Sequence, residues 1–140
     1  MLSKSTLLAT LFGCIVFNVL GWGIYGGFAA DYFESQMQLA VVDAMDPLWI
    51  SIGTLLMSFA LANIYRQLSP GRYSFNNGFN FGLWVGFFAG FGFGFMQYGT
   101  MHLMSQEGVI IDSIIALPYY GLVGGCIGWT FKQLNPKSIT

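Results

Sequence analysis

The stretch GFNFGLWVGFFAGFGFG, residues 78–94, decides the fold because glycine returns at every fourth position. The glycines of this ladder are Gly78, Gly82, Gly86, Gly90 and Gly94. Glycine costs a helix about 1 kcal/mol relative to alanine, so five in register need a compensating gain. In lipid, small residues four apart let two helix backbones approach and pack closely. The ladder therefore predicts a membrane-spanning helix with a closely packed neighbour.

The composition of the whole chain is that of an integral membrane protein. Of its 140 residues, 55% are hydrophobic and only 8% are charged, whereas soluble domains carry about 25% charged residues. Four segments reach the length of about 20 apolar residues that a helix needs to cross the bilayer; they cover approximately residues 6–28, 47–65, 79–103 and 109–131. The sequence predicts an all-α, four-transmembrane-helix bundle that forms one domain, residues 1–140.

The charged residues predict the orientation of this bundle. The five basic residues fall at the two termini and in the second connection: Lys4, Arg66, Arg72, Lys132 and Lys137. The six acids fall in the first and third connections: Asp31, Glu34, Asp43, Asp46, Glu107 and Asp112. Because Lys and Arg near span ends stay on the cytoplasmic side, we expect both termini in the cytoplasm.

The other spans offer small residues that match the glycine ladder. The fourth span carries overlapping GxxxG pairs at Gly121, Gly124, Gly125 and Gly128, and the second has small residues four apart at Thr54, Ser58 and Ala62. We favour packing between helices of one chain. A seam between copies of the chain and a hinge are the alternatives, and Gly86 or Gly90 replaced by Leu is expected to disrupt assembly.

Two short segments echo each other at an offset of 66 residues. YRQLSP (65–70) ends the second span and FKQLNP (131–136) ends the fourth. An aromatic ring, a basic residue and a proline suit any cytoplasmic membrane boundary, so convergence explains the echo. Duplication of a two-helix hairpin is the less favoured alternative, and the sequence leaves both interpretations open.

A few polar residues of the spans are candidates for contacting a ligand. They are Asn18, Gln97, Tyr98, His102 and Asp112, most of which fall toward the predicted outer side. An outward-facing polar group is one interpretation of them. The favoured alternative is hydrogen bonding between helices together with an interfacial belt of aromatic residues.

The sequence carries no pattern typical of catalysis or cofactor binding. GFGFG (90–94) follows no strand, so it is not a dinucleotide fingerprint, and His102 has no neighbouring residues that complete a metal site. The basic residues do not cluster, which argues against nucleic acid. We therefore expect no enzyme activity, no cofactor, no metal and no nucleic-acid partner.

Three segments carry a resemblance to a known group of proteins: GWGIYGGFAADYF (21–33), GFMQYGTMHLM (94–104) followed by Asp112, and GGCIGW (124–129). With them the chain resembles an uncharacterised family of small four-span bacterial membrane proteins, a domain of unknown function. The resemblance covers most of the chain and implies the four-span architecture in a bacterial inner membrane. It implies no activity.

Two functions compete at the level of sequence. The first is a structural or interaction subunit, or a homo-oligomer, held by the glycine-rich faces, with lipids, a second copy or another membrane protein as partners. The second is a binder or passive conduit for a small neutral or lipid-like molecule that uses the outer polar group. An enzyme built on His102 with Asp112 or Glu107 comes third.

Overall fold

The computed structural model describes residues 3–38 and 46–135. Within these ranges the chain forms five helices, which are α1 (Lys4–Phe28), α2 (Ala30–Gln36), α3 (Pro47–Leu68), α4 (Phe75–Met101) and α5 (Gln106–Leu134). All except α2 are long and apolar enough to cross a membrane. The predicted all-α fold with four long apolar helices is confirmed. Two of the charged residues on which the predicted orientation rests, Asp43 and Lys137, lie outside the described residues.

Each long helix begins at a polar side chain that caps its free N–H groups. The capping residues are Ser3, Asp46, Ser74 and Ser105, and each side chain accepts a backbone N–H of the following turn. Such caps contribute about 1 kcal/mol each. Because the cap rather than the apolar run sets the first residue, α4 and α5 start three or four residues earlier than hydropathy predicted.

The helices lie in the spatial order α3, α1, α5, α4. α1 packs against both α3 and α5, and α4 forms the most extensive interface of the molecule with α5. A buried core joins α1, α3 and α5, and its largest fully buried side chains are Phe17, Tyr65, Val123, Ile127 and Phe131. The central position of α5 explains why it has more buried residues than any other helix.

The glycine ladder of α4 packs against the backbone of α5 in the same chain. A Cβ atom added to Gly78 would lie 2.2 Å from the carbonyl oxygen of Gly124, and one added to Gly82 would lie 2.1 Å from that of Tyr120. At Gly86 the corresponding distance to α5 is 2.5 Å. No side chain fits in these gaps, so the glycines are what allows the two helices to touch through their backbones.

The glycines of α5 face the same interface. An added Cβ would lie 2.9 Å or less from atoms of residues 74–79 at each of these positions: Gly121, Gly124, Gly125 and Gly128. Gly94, the last rung of the ladder, is looser, because an added Cβ would approach the Ser113 hydroxyl only to 3.5 Å. The α4–α5 contact is therefore closest over the first half of α4.

A π-helical segment, Phe88–Phe93, interrupts α4 and changes its register against α5. From Gly78 to Gly86, every advance of four residues along α4 is matched by four residues back along the antiparallel α5, so that Gly86 faces Ala116. The next step, to Gly90, meets only a three-residue step, to Ser113. A π-turn accommodates one extra residue in a helix, which accounts for this shift.

The helices pair as two hairpins, α1 with α3 and α4 with α5. The two echoed segments meet in the core, where the rings of Tyr65 and Phe131 lie 6.1 Å apart. The hairpins do not pack symmetrically, because α1 lies along α5 whereas α3 and α4 form no comparable interface among the described residues. A duplicated hairpin stays a prediction.

The charges separate to opposite ends of the bundle. The described basic residues lie where α1 and α4 begin and α3 and α5 end: Lys4, Arg66, Arg72 and Lys132. The described acids lie at the other end, on α2 and near the starts of α3 and α5. At that acidic end the two connections bind each other, since Ser105 N donates to Gln36 O at 2.8 Å and Gln38 N donates to Leu103 O at 2.9 Å.

Candidate functional site

A cleft of about 190 Å³ lies between α1, α3 and α5, in the half of the bundle nearer the acidic end. Its apolar wall is formed by Phe17, Trp22 and Ile50 together with the bare backbone at Gly21 and Gly26. A Cβ atom added to Gly21 would lie 3.2 Å from the Tyr119 hydroxyl, and one added to Gly26 would lie 3.0 Å from the Trp22 ring, so both glycines let these side chains lie against the backbone of α1. Clefts between the helices of a bundle are a common place for small-molecule sites.

One side of the cleft carries a polar network that joins α1 to α3. The Asn18 amide nitrogen donates to Thr54 Oγ1 at 2.8 Å and to the Cys14 carbonyl oxygen at 2.9 Å. Thr54 Oγ1 in turn donates to the Ser51 carbonyl oxygen at 3.1 Å. The network holds the two helices at the depth where the cleft opens.

Tyr119 of α5 forms the opposite side of the cleft. Its hydroxyl donates to the Phe17 carbonyl oxygen at 3.0 Å, which ties α5 to α1. Its ring lies 5.4 Å from that of Phe17 and 5.5 Å from that of Tyr120, in tilted and edge-on arrangements. Aromatic pairs of this geometry add about 0.5–1.5 kcal/mol to burial, so this wall is fixed in place by its neighbours.

Tyr25 closes the cleft toward the acidic end. It lies in the second π-helical segment, Ile24–Phe28, which forms the last turn of α1. The Tyr25 hydroxyl donates to Asp112 Oδ1 at 2.6 Å, the short distance typical of a hydroxyl bound to a carboxylate. Its ring packs 5.0 Å from Phe33 of α2. Tyr25 therefore links the cleft to a carboxylate of α5.

The five candidate residues occupy two separate places. Asn18 lines the cleft, and Asp112 lies behind it, bound to Tyr25. Gln97, Tyr98 and His102 lie near the end of α4, which packs on α5 rather than on α1 or α3, and none of the three lines the cleft.

His102 ends α4 instead of facing a site. It adopts the left-handed conformation, with φ of 48°, and its N–H donates to the Tyr98 carbonyl oxygen at 3.2 Å. Its ring meets the Tyr98 ring edge-on at 4.8 Å. This is the geometry of a helix C-terminus.

Three polar residues of the cleft are not among the five candidates predicted from the sequence: Tyr25, Thr54 and Tyr119. The sequence pattern marks Thr54 only as a small packing residue. Part of the signal is present in the sequence, because Asn18 and Tyr25 are seven residues apart and so share one face of a helix. Their convergence with Thr54 and Tyr119 depends on tertiary packing.

The cleft is lined by uncharged side chains. Its lining contains amide, hydroxyl and aromatic groups but no Lys, Arg, Asp, Glu or His. Across residues 3–38 and 46–135, no group of three or more His, Cys, Asp or Glu side chains is placed to hold a metal ion.

Comparison of the chain with protein-family models, curated proteins and solved structures gave no match. The geometry of the cleft is therefore the basis for assigning a function.

Proposed function

We propose that this protein binds a small neutral or lipid-like molecule in the cleft between α1, α3 and α5. The observation that carries the proposal is the convergence of Asn18, Thr54, Tyr25 and Tyr119 on one apolar cleft. Ligand sites are typically apolar cavities with a few placed polar groups. A dry cavity of about 150 Å³ accommodates benzene, so this cleft has room for one ring or a short stretch of alkyl chain.

The lining favours a neutral ligand over a charged one. A charge brought to membrane depth needs a partner charge or strong hydrogen bonds, and the cleft lining offers no charged side chain. The nearest carboxylate, Asp112, already accepts the Tyr25 hydroxyl. An apolar ring or chain, by contrast, gains from contact with Phe17 and Trp22.

We infer further that the cleft belongs to the outer half of a bacterial inner membrane, with both termini in the cytoplasm. The separation of basic and acidic residues supports this orientation through the positive-inside rule. The cleft then opens toward the outer leaflet, from which a lipid-like molecule enters without crossing the bilayer.

A structural or interaction subunit stays a prediction. Most of the glycines that suggested it are occupied within the chain, since α4 and α5 use them against each other. A homo-oligomer or a complex with another membrane protein would therefore need a different surface. Two side chains of α4, Trp84 and Phe88, are each 70% or more exposed at the surface of the bundle and are available for such contacts or for lipid.

Binding in the cleft is testable through Trp22, which lines it. Replacement of the exposed Trp49, Trp84 and Trp129 by Phe leaves Trp22 as the single tryptophan. We expect 4-octylphenol, with its ring in the cleft and its alkyl chain extending out of it, to change Trp22 emission saturably in this protein, purified in detergent micelles or nanodiscs.

A matched pair of variants separates the cleft from the lipid-facing surface. Ile50 and Ile52 both lie on α3 and are both 36% exposed, but only Ile50 lines the cleft. Ile50→Phe is expected to fill the cleft and to weaken binding at least tenfold, whereas Ile52→Phe is expected to leave binding unchanged. Equal effects of the two substitutions would contradict the proposal.

A further inference from the structure

Every hydroxyl and amide side chain that lines the cleft already donates its polar hydrogens in hydrogen bonds to other groups of the protein. Asn18 shows this most clearly. Its amide nitrogen carries two hydrogens, and it donates to the Cys14 carbonyl oxygen and to Thr54 Oγ1. A carbonyl oxygen only accepts, so the nitrogen must face Cys14. Asn18 Oδ1 is then the part of the amide left for a ligand.

The hydroxyl groups follow the same pattern. Thr54 donates to the Ser51 carbonyl oxygen, so its own oxygen is the acceptor for Asn18. Tyr119 donates to the Phe17 carbonyl oxygen at 3.0 Å. Each hydroxyl has one hydrogen and two lone pairs, and both hydrogens are used.

Tyr25 completes the set. Its hydroxyl donates to Asp112 Oδ1 at 2.6 Å, which leaves its oxygen lone pairs available. The amide and hydroxyl groups of the lining can therefore only accept further hydrogen bonds, and the acceptors are the side-chain oxygens of Asn18, Tyr25 and Tyr119. Trp22 adds the one remaining side-chain N–H of the lining, and the six-membered part of its ring lies over Gly26.

We propose that the cleft selects a lipid-like alcohol or phenol, a neutral donor of a hydrogen bond, over an ether, ester or ketone of the same shape. The inference rests on the proposed function and names the chemical class of its ligand. A ligand hydroxyl donates to the acceptors of the cleft. A ligand that offers only lone pairs can accept from the Trp22 N–H, but it places acceptor against acceptor at Asn18, Tyr25 and Tyr119, which costs binding free energy.

The test compares two ligands that differ only in whether the phenolic oxygen carries a hydrogen or a methyl group. 4-Octylphenol and its methyl ether, 4-octylanisole, are titrated against the single-Trp22 protein in the same detergent. One hydrogen bond gained or lost in a desolvated site corresponds to about a tenfold change in Kd. We expect the phenol to bind about tenfold more tightly than the ether.

Thr54→Val sharpens the comparison. The valine cannot accept from Asn18, so one amide hydrogen becomes available to the cleft as a donor. We expect the variant to bind the ether more tightly than the parent protein does and to reduce the preference for the phenol to about threefold or less. Ile52→Phe is the control and is expected to keep the full preference.

The outcomes separate the two proposals. Equal affinity for phenol and ether in the parent protein, or tighter binding of the ether, overturns the selectivity for a donor and leaves the proposed function standing. Binding of neither compound contradicts the proposed function itself. An unchanged preference in folded Thr54→Val protein also overturns the role assigned to the Asn18 amide.

Discussion

Gly82 lies where the backbones of α4 and α5 come closest. A Cβ atom there would lie 2.1 Å from the Tyr120 carbonyl oxygen, and the obstructing atoms are backbone that cannot rotate away. Gly82→Ala must therefore push the two helices apart. Overpacking of this kind typically costs about 1–3 kcal/mol, and we expect a lower thermal unfolding midpoint for the variant in a fixed detergent.

Gly99→Ala is the matched control for Gly82→Ala. Gly99 lies on the same helix, and an added Cβ meets no atom within 4 Å. The substitution removes the helix penalty of glycine, about 1 kcal/mol, so we expect an unchanged or higher midpoint. If Gly82→Ala and Gly99→Ala unfold at the same temperature, close packing through the ladder is not what holds α4 to α5.

The sequence identifies Asn18 as a candidate but not the residues that it meets in the cleft. A polar residue inside an apolar span can be recognised from the sequence, because its hydropathy differs from that of its neighbours. Thr54 does not stand out, since threonine is common in helix interfaces. Which face of α3 meets α1 depends on the rotation of both helices, and small residues four apart do not determine that rotation.

The same limit explains why Gln97, Tyr98 and His102 were grouped with Asn18. All of them are polar residues in or at the end of apolar spans, and hydropathy and charge predict depth in the membrane but not which helices are neighbours. Their separation follows from the order of the helices, since α4 packs on α5 rather than on α1 or α3. Residues at one depth on non-adjacent helices do not form a site.

Among the elements, the four long helices were predictable and the two π-helical segments were not. Apolar length determines a span, and capping side chains move its ends by a turn. A π-turn adds one residue without changing composition, so the Gly and Phe of residues 88–93 fit either winding. The segment becomes visible only through the altered register against α5.

The side chain of Tyr65 binds the backbone of the connection between α3 and α4. It is fully buried, and its hydroxyl accepts from Ser74 N and donates to Ser74 O, both at 3.2 Å. Tyr65→Phe leaves both backbone groups without this partner in a tightly packed place. We expect a loss of about 1–3 kcal/mol in stability and faster amide hydrogen exchange at the start of α4.

Tyr98→Phe provides the control for Tyr65→Phe. Tyr98 lies near the opposite end of α4, where its ring contacts His102. Removal of its hydroxyl is expected to leave amide exchange at Ser74 and Asn77 unchanged. Faster exchange there in both variants, or in neither, would show that the Tyr65 hydroxyl does not anchor this connection.

In the molecule as a whole, the helix order leaves the half of α3 nearer the acidic end poorly covered, and the cleft results from this. α3 packs on α1, but it has little contact with α5 and forms no comparable interface with α4 among the described residues, so its first turns are exposed on most sides. A bundle with four equivalent interfaces would close this space. The sequence predicts four spans, but their order in space depends on which faces pack, and α5 takes the central place because α4 and α1 both pack against it.

The proposed orientation of the molecule rests on its charge separation and is directly testable. After replacement of Cys14 and Cys126 by Ala, single cysteines are introduced at exposed positions of the two ends, Ser35→Cys in α2 and Asn76→Cys at the start of α4. Basic span ends stay cytoplasmic, so a membrane-impermeant maleimide is expected to label Ser35→Cys in intact cells and Asn76→Cys only after permeabilisation. The reverse pattern would place the cleft in the cytoplasmic half of the bilayer, where its ligand would have to enter from the inner leaflet.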